Sequence, residues 1–142
     1  MGVLRWDNGF TLIEMLTVMI VISTLATIAL GKFKGTKDQA YEATMLGDIH
    51  TLTIAQESYM VDNNTYYGGI VPDPSFPFHA AAGVTATLTS GSPAGWSALL
   101  THQNSTTTCG VFVGGVPAQA PATSEGVAAC QRSGGGQTQT GP

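Results

Sequence analysis

The sequence predicts an α+β fold, with one long amino-terminal helix packed against a small antiparallel sheet. Three observations carry the expectation. Residues 10–30 hold 21 positions with one charge, Glu14. An amphipathic helical period follows that run without a turn signal between them. The second half of the chain then alternates apolar and polar residues in short segments separated by turn formers, the pattern of an antiparallel sheet.

The helix is expected from about residue 10 to about residue 61, in two chemical halves. Residues 10–34 are apolar nearly all round, long enough to cross a bilayer at ~20 residues per span. Lys32, Lys34, Lys37 and Asp38 mark the exit from that half. Residues 35–61 carry Met45, Ile49, Leu52, Ala55 and Tyr59 at spacings of three and four, one face that a sheet must cover. Asp48, Thr51, Thr53 and Glu57 are assigned to the opposite face. Gly31 is the weak point of the helix. Its helix propensity is ~1 kcal/mol below that of Ala, and β-branched Thr24, Thr27 and Ile28 precede it.

Asp62-Asn63-Asn64-Thr65 ends the helix. Residues 62–83 read as a loop, because Gly68-Gly69 and Pro72, Pro74 and Pro77 exclude a long helix and a central strand. Tyr66, Tyr67, Phe76 and Phe78 give that loop apolar mass to pack on the domain. Residues 84–130 form the sheet. Its strands are expected at 84–89, 95–101, 108–113 and 127–130, with Trp96, Ala98 and Leu100 on one face and Cys109, Val111 and Val113 on another. A turn is expected at 90–93. Residues 131–142, rich in Gly, Gln, Ser and Thr, read as a flexible tail.

Charged residues make up 10% of the chain and the net charge is −4. Typical soluble domains hold ~25% charged residues. That scarcity suits a surface occupied by copies of the same chain, or a small β-rich exported domain. Direct nucleic-acid binding is not expected, since few cations are present and most cluster beside the apolar run. Cys109 and Cys130 are the two cysteines. Joined, they close a loop of about 20 residues and contribute roughly 3 kcal/mol in the chain-entropy model. No Cys-x-x-Cys spacing supports a zinc or redox site.

Glu14 explains the apolar run. A carboxylate at bilayer depth costs ~2.5–3.5 kcal/mol on insertion scales, so it needs a partner. Gly9-Phe10-Thr11-Leu12-Ile13-Glu14 resembles the processing site of type IV prepilins and pseudopilins: a Gly before the cut, a Phe after it, and a Glu at the fifth residue of the product. The resemblance implies a cleaved leader of residues 1–9, cleavage between Gly9 and Phe10 by a membrane-embedded peptidase, and methylation of the new Phe10 amine. In the family that amine meets the Glu of a neighbouring subunit, which makes Phe10 and Glu14 the assembly residues. A looser likeness in the pattern KFxxTKxxAYxATMxxDIxxLxxAQExYxxDNxTY continues to Tyr66 and is similar to bacterial major pilins; beyond it the match is architectural. Two departures stand out. The leader holds Asp7 beside Arg5, and Gly31 replaces a Pro common in related pilins.

No catalytic set emerges. His50, His79 and His102 lie apart, and His50 reads as a surface residue. Asp62, Asp73 and Glu125 lack calcium-loop spacing, although some secretion pseudopilins hold calcium near the carboxyl end. No enzyme, cofactor or metal is expected. Asn63-Asn64-Thr65 and Asn104-Ser105-Thr106 match the N-glycosylation pattern, and residues 105–108 would suit O-linked sugar. The resemblance implies the major subunit of a bacterial type IV pilus, held in the inner membrane before assembly and extracellular afterwards. Its partners would be itself, the prepilin peptidase and methylase, and the pilus assembly machinery. Adhesion, motility or DNA uptake would belong to the fibre. A minor pilin or a type II secretion pseudopilin is the nearest alternative. A membrane-anchored extracytoplasmic binding module is the alternative of another class.

Overall fold

The computed structural model describes residues 9–133 and 135–140, with side chains at all of these except 30–34 and 135–140. Most of the expected leader, residues 1–8, and the last two residues of the expected tail lie outside the described residues. The order is α1 (Leu12–Asn63), β1 (Val84–Ser92), β2 (Gly95–His102), β3 (Thr107–Gly114), β4 (Ala129–Arg132) and β5 (Gly135–Thr140). Contacts divide the chain into two compact units, Met1–Lys37 and Asp38–Pro142.

In the first unit the helix begins two residues later than the pattern suggested, because Thr11 caps it. Its window Leu12–Ala29 has mean hydropathy 2.2 and none of it is buried. The backbone stays helical through Gly31.

In the second unit the stripe forms as the period requires. Met45 and Leu52 are fully buried, and Ile49 and Ala55 nearly so. Met45, Ile49 and Leu52 each contribute ~1.5–3 kcal/mol by leaving water. They pack with Phe76, Phe78, Ala86, Trp96, Ala98, Leu100, Cys109 and Val111 in one cluster. Trp96, Ala98 and Leu100 have no exposure at all, so the alternation read in β2 sets its inner face. The helix stops at Asn63 because Asn64 takes a left-handed φ of 54° and donates its N–H to Met60 O at 2.9 Å.

The five strands form one antiparallel sheet in the order β1-β2-β3-β4-β5. β1 runs on to Ser92, past the turn expected at 90–93, because the register shifts between Leu88 and Ser90. Thr89 sits in that bulge, and its hydroxyl meets Ser97 Oγ at 2.9 Å and Gln119 Oε1 at 2.7 Å. The turn falls instead at residues 93 and 94, between the partners Ser92 and Gly95, and Gly114 at the end of β3 packs beneath it. Gly114 has φ 80°, and a Cβ there would collide with Ala94 O.

Two expectations need correction. The tail expected to be flexible carries the end of β4 and all of β5, paired from Ala129↔Thr140 to Arg132↔Gly135. Thr138 and Thr140 favour strand, and Ser133, just after β4, donates its N–H at 3.1 Å to Thr106 O, just before β3. Polar composition hid a hairpin that is held by its neighbour rather than by apolar residues. Asp48 is not on the solvent face. It is 8% exposed and accepts from Ala81 N at 2.9 Å, because the loop before β1 passes over it and needs an acceptor.

Candidate functional site

The amino-terminal motif is built by capping. Gly9, Phe10 and Thr11 precede the helix, and Phe10 is 74% exposed. A Cβ on Gly9 would meet nothing within 4 Å, so this chain itself imposes no demand for glycine there. Thr11 Oγ1 accepts from Glu14 N at 3.2 Å, and Glu14 Oε2 accepts from Thr11 N at 3.5 Å. This is a capping box, Thr-x-x-Glu, and it satisfies two otherwise unpaired donors of the first turn. The spacing was present in the sequence and was missed there, because Glu14 was read only for its partner in another subunit. Its placement one turn inside the helix also suits the positive end of the helix dipole.

The hydroxyls of the apolar segment turn inward on their own backbone. Thr17 Oγ1 donates to Glu14 O at 2.9 Å, Ser23 Oγ to Met19 O at 2.7 Å, Thr24 Oγ1 to Val21 O at 2.8 Å and Thr27 Oγ1 to Ser23 O at 2.9 Å. Every Ser and Thr of the window is thereby satisfied within it, which leaves an outer surface of hydrocarbon. Glu14 is the one ionisable group in that surface. The segment presents Leu12, Ile13, Leu25 and Ile28 at 63–86% exposure.

The second unit holds its parts by buried polar pairs. Gln56 is fully buried; its Nε2 donates to Tyr67 O at 2.9 Å and its Oε1 accepts from Tyr67 N at 2.8 Å. The side-chain amide thus pairs with the loop backbone as a strand would. Sequence periodicity missed it, since an amide counts as polar. Tyr67 stacks on Phe76 at 4.4 Å between centroids, with Tyr59 set edge-on to both. Burial first, and then the nearby Glu57 carboxylate, push the Tyr66 hydroxyl above its ordinary value. Two hydrogen bonds from Ser75 hold the Asp73 carboxyl below its ordinary value. Asp38 accepts from Ser105 Oγ at 3.4 Å and faces Arg132 Nη2 at 3.6 Å, while Tyr41 stacks on His102 at 4.0 Å. These contacts tie the start of this unit's helix to the β2–β3 turn and to β4.

Cys109 and Cys130 form a disulfide and are register partners across β3 and β4, with Cα atoms 4.0 Å apart. The bonded loop between them returns over the sheet. Gly114 N donates to Glu125 Oε1 at 2.7 Å and Gly126 N to Phe112 O at 2.9 Å. His50 is exposed, as expected, and among the described residues no three His, Cys, Asp or Glu side chains stand close enough to share a metal ion. Of the site residues expected from the sequence, Gly9, Phe10 and Glu14 share the start of the helix, and the two cysteines meet in the sheet.

Residues 7–30 match the prokaryotic N-terminal methylation motif. The chain is 34% identical over 62 residues to type II secretion system core protein G of Aeromonas hydrophila, covering 44% of this chain and 43% of that one. It is 34% identical over 62 residues to the protein of the same name in Pseudomonas aeruginosa, covering 44% of each. It is 34% identical over 60 residues to that of Escherichia coli, covering 42% of this chain and 41% of the relative. The chain spans less than half the length of these curated relatives. With the methylation motif at its amino end, and an apolar helix and a small antiparallel sheet after it in the chain, the protein is similar to the type IV pilin-like family.

Proposed function

We propose that this chain is a structural subunit that polymerises through its amino-terminal helix into an extracellular filament, as the major subunit of a bacterial type IV pilus. The observation that carries the reading is the window Leu12–Ala29. It is wholly uncovered, its hydroxyls are satisfied internally, and a single carboxylate stands one turn from its start. Such a surface needs either lipid or copies of itself.

The steps follow from the residues. A peptidase cuts between Gly9 and Phe10, which creates an amine one residue before the capping box and four before Glu14. The amine is then methylated. The helix waits in the inner membrane with the second unit outside. On extraction by the assembly machinery, the apolar surfaces stack and the Phe10 amine of one subunit meets Glu14 of the next. An unpaired Glu14 in that core is penalised, which selects one axial register. Residues 23–31 are the stretch most able to unwind there, with Ser and Thr hydroxyls competing for helix carbonyls and Gly31 closing the stretch.

A second reading has its own support. The relatives carry the name of a type II secretion component, and a secretion pseudopilus would use the same helix and the same Glu14. Mass spectrometry of material sheared from the cell surface tests both. A dominant chain that starts at methylated Phe10 supports the pilus. Its absence from sheared material, with a secretion defect on deletion, favours the pseudopilus. An uncut chain that works in the membrane overturns both readings in favour of an anchored binding module.

A further inference from the structure

Three of the four Lys and Arg residues beyond Gly9 fall within six positions, at Lys32, Lys34 and Lys37; the fourth is Arg132. They follow the window Leu12–Ala29 directly, and the backbone is helical through all three. A window of 18 residues rises about 27 Å, near the ~30 Å thickness of a bilayer's hydrocarbon. The three lysines then stand roughly 4–12 Å beyond its end. That is the depth of the headgroup layer and about one screening length in physiological salt.

Their arrangement around the axis narrows the choice of partner. At about 100° per residue, Lys34 stands about 200° and Lys37 about 140° round from Lys32. Two therefore lie on one side of the helix and one on the other. A protein partner engages one side, through spacings of three and four. A layer of headgroups surrounds the helix and reaches both sides at once. The acid next in sequence does not offset the lysines. Asp38 is engaged by Arg132 and Ser105, whereas Lys37 is exposed and outside every ion pair among the described residues.

We propose that Lys32, Lys34 and Lys37 form a cationic collar that binds the phosphate groups of anionic lipids around the membrane-resident subunit. The collar sets the depth of the helix and holds the subunit in the bilayer until it is extracted. This rests on the reading above that the apolar helix occupies a bilayer before assembly. Each lysine near an anionic surface strengthens attraction about fivefold, so three give up to about a hundredfold preference for anionic over neutral lipid.

The test uses the whole chain, cut at Gly9, in vesicles of phosphatidylethanolamine with or without phosphatidylglycerol. The readouts are the rate at which an amine-reactive reagent modifies each lysine, and the lipids retained in native mass spectrometry. With phosphatidylglycerol present, the three lysines should react several-fold more slowly, and 1 M salt should abolish the difference. Wild-type protein should retain phosphatidylglycerol, whereas K32Q/K34Q/K37Q should not, and R132Q should behave as wild type. Equal modification in both kinds of vesicle overturns the proposal. Protection that follows protein density rather than phosphatidylglycerol overturns it too, and assigns the lysines to acids of a second copy. Equal protection by inorganic phosphate in detergent overturns the lipid source. Alkaline carbonate separates failure of the underlying reading, since a chain it washes from the vesicles was never inserted. An inserted chain without lipid preference removes the collar alone.

Discussion

The two halves of α1 solve opposite problems with the same backbone. Before Lys37 the apolar side chains face outward, Leu12 at 86% and Ile28 at 67% exposure; after it, Met45 and Leu52 are fully buried. Polar groups behave in the reverse sense. Thr17, Ser23, Thr24 and Thr27 bend back to their own helix, whereas Asp48 and Gln56 reach across to loop backbone 33 and 11 residues away. The first half keeps its bonds to itself and leaves its hydrocarbon for others. The second spends both on its own sheet. Substitutions in the first half should therefore alter assembly without altering stability, and those in the second should do the opposite.

The largest expected effects lie at the motif. Gly9→Val should leave the leader attached and abolish fibres, because the peptidase must fit a small residue at the cut. Glu14→Ala should be cut normally and still fail to assemble, which immunoblots of membranes against sheared fibres would show. Wild-type fibre yield from Glu14→Ala would break the contrast, since the first half would then need no register.

Leucine truncations compare the halves directly. Leu52→Ala, in the buried stripe, should cost about 2–5 kcal/mol. Leu16→Ala, 56% exposed on the apolar half, should stay within about 0.5 kcal/mol in thermal unfolding of the detergent-solubilised chain. The disulfide comes next. Replacing Cys109 and Cys130 together by Ala should remove about 3 kcal/mol, read as a lower unfolding midpoint in non-reducing buffer. An unchanged midpoint would mean that the β3–β4 pairing holds without the bond.

Legibility followed the same division. The apolar half was readable because its pattern is a property of single residues: length, hydropathy and one acid at a set distance from Gly9. The stripe from Met45 to Tyr59 and the faces of β2 and β3 were readable because burial follows period. Gln56 and Asp48 were not, since their burial depends on which loop backbone passes over them, a fact of tertiary structure. A strand was expected at 127–130, but β5 and the hairpin it makes with β4 were missed for a related reason. β4 is held by main-chain pairing to β3 and β5 by pairing to β4, which composition does not report. The capping box lay in plain view as Thr11 and Glu14, and was overlooked because one residue was given one role.

Gln56 offers a finer test of the second half. Gln56→Leu keeps the volume and strands the N–H and C=O of Tyr67, each otherwise unpaired in a half-buried loop. A loss of about 1–3 kcal/mol is expected, together with faster hydrogen exchange at Tyr67. Stability equal to wild type would mean that the loop finds water or another partner there.

The smallest effect sharpens the comparison at the loop itself. Asp73 accepts from Ser75 N at 2.7 Å and from the Ser75 hydroxyl, and these bonds hold its carboxyl below the ordinary 3.8. A depressed acid stabilises the folded loop fully above that ordinary value and loses its contribution as pH falls through the lowered one. Hydrogen exchange at Ser75 and Phe76 should therefore stay slow down to about pH 4 and quicken beneath it, after correction for intrinsic exchange. Ser75→Ala removes the hydroxyl and should raise the Asp73 value toward the ordinary one, so the loop should loosen at higher pH. Glu14 supplies the contrast. Its carboxylate caps the first turn through Thr11, outside the packed unit, so Glu14→Ala should fray the helix start and leave exchange at Ser75 unchanged. If Glu14→Ala quickened exchange at Ser75 as well as at the helix start, the two units would be coupled and the separation of assembly from stability would fail.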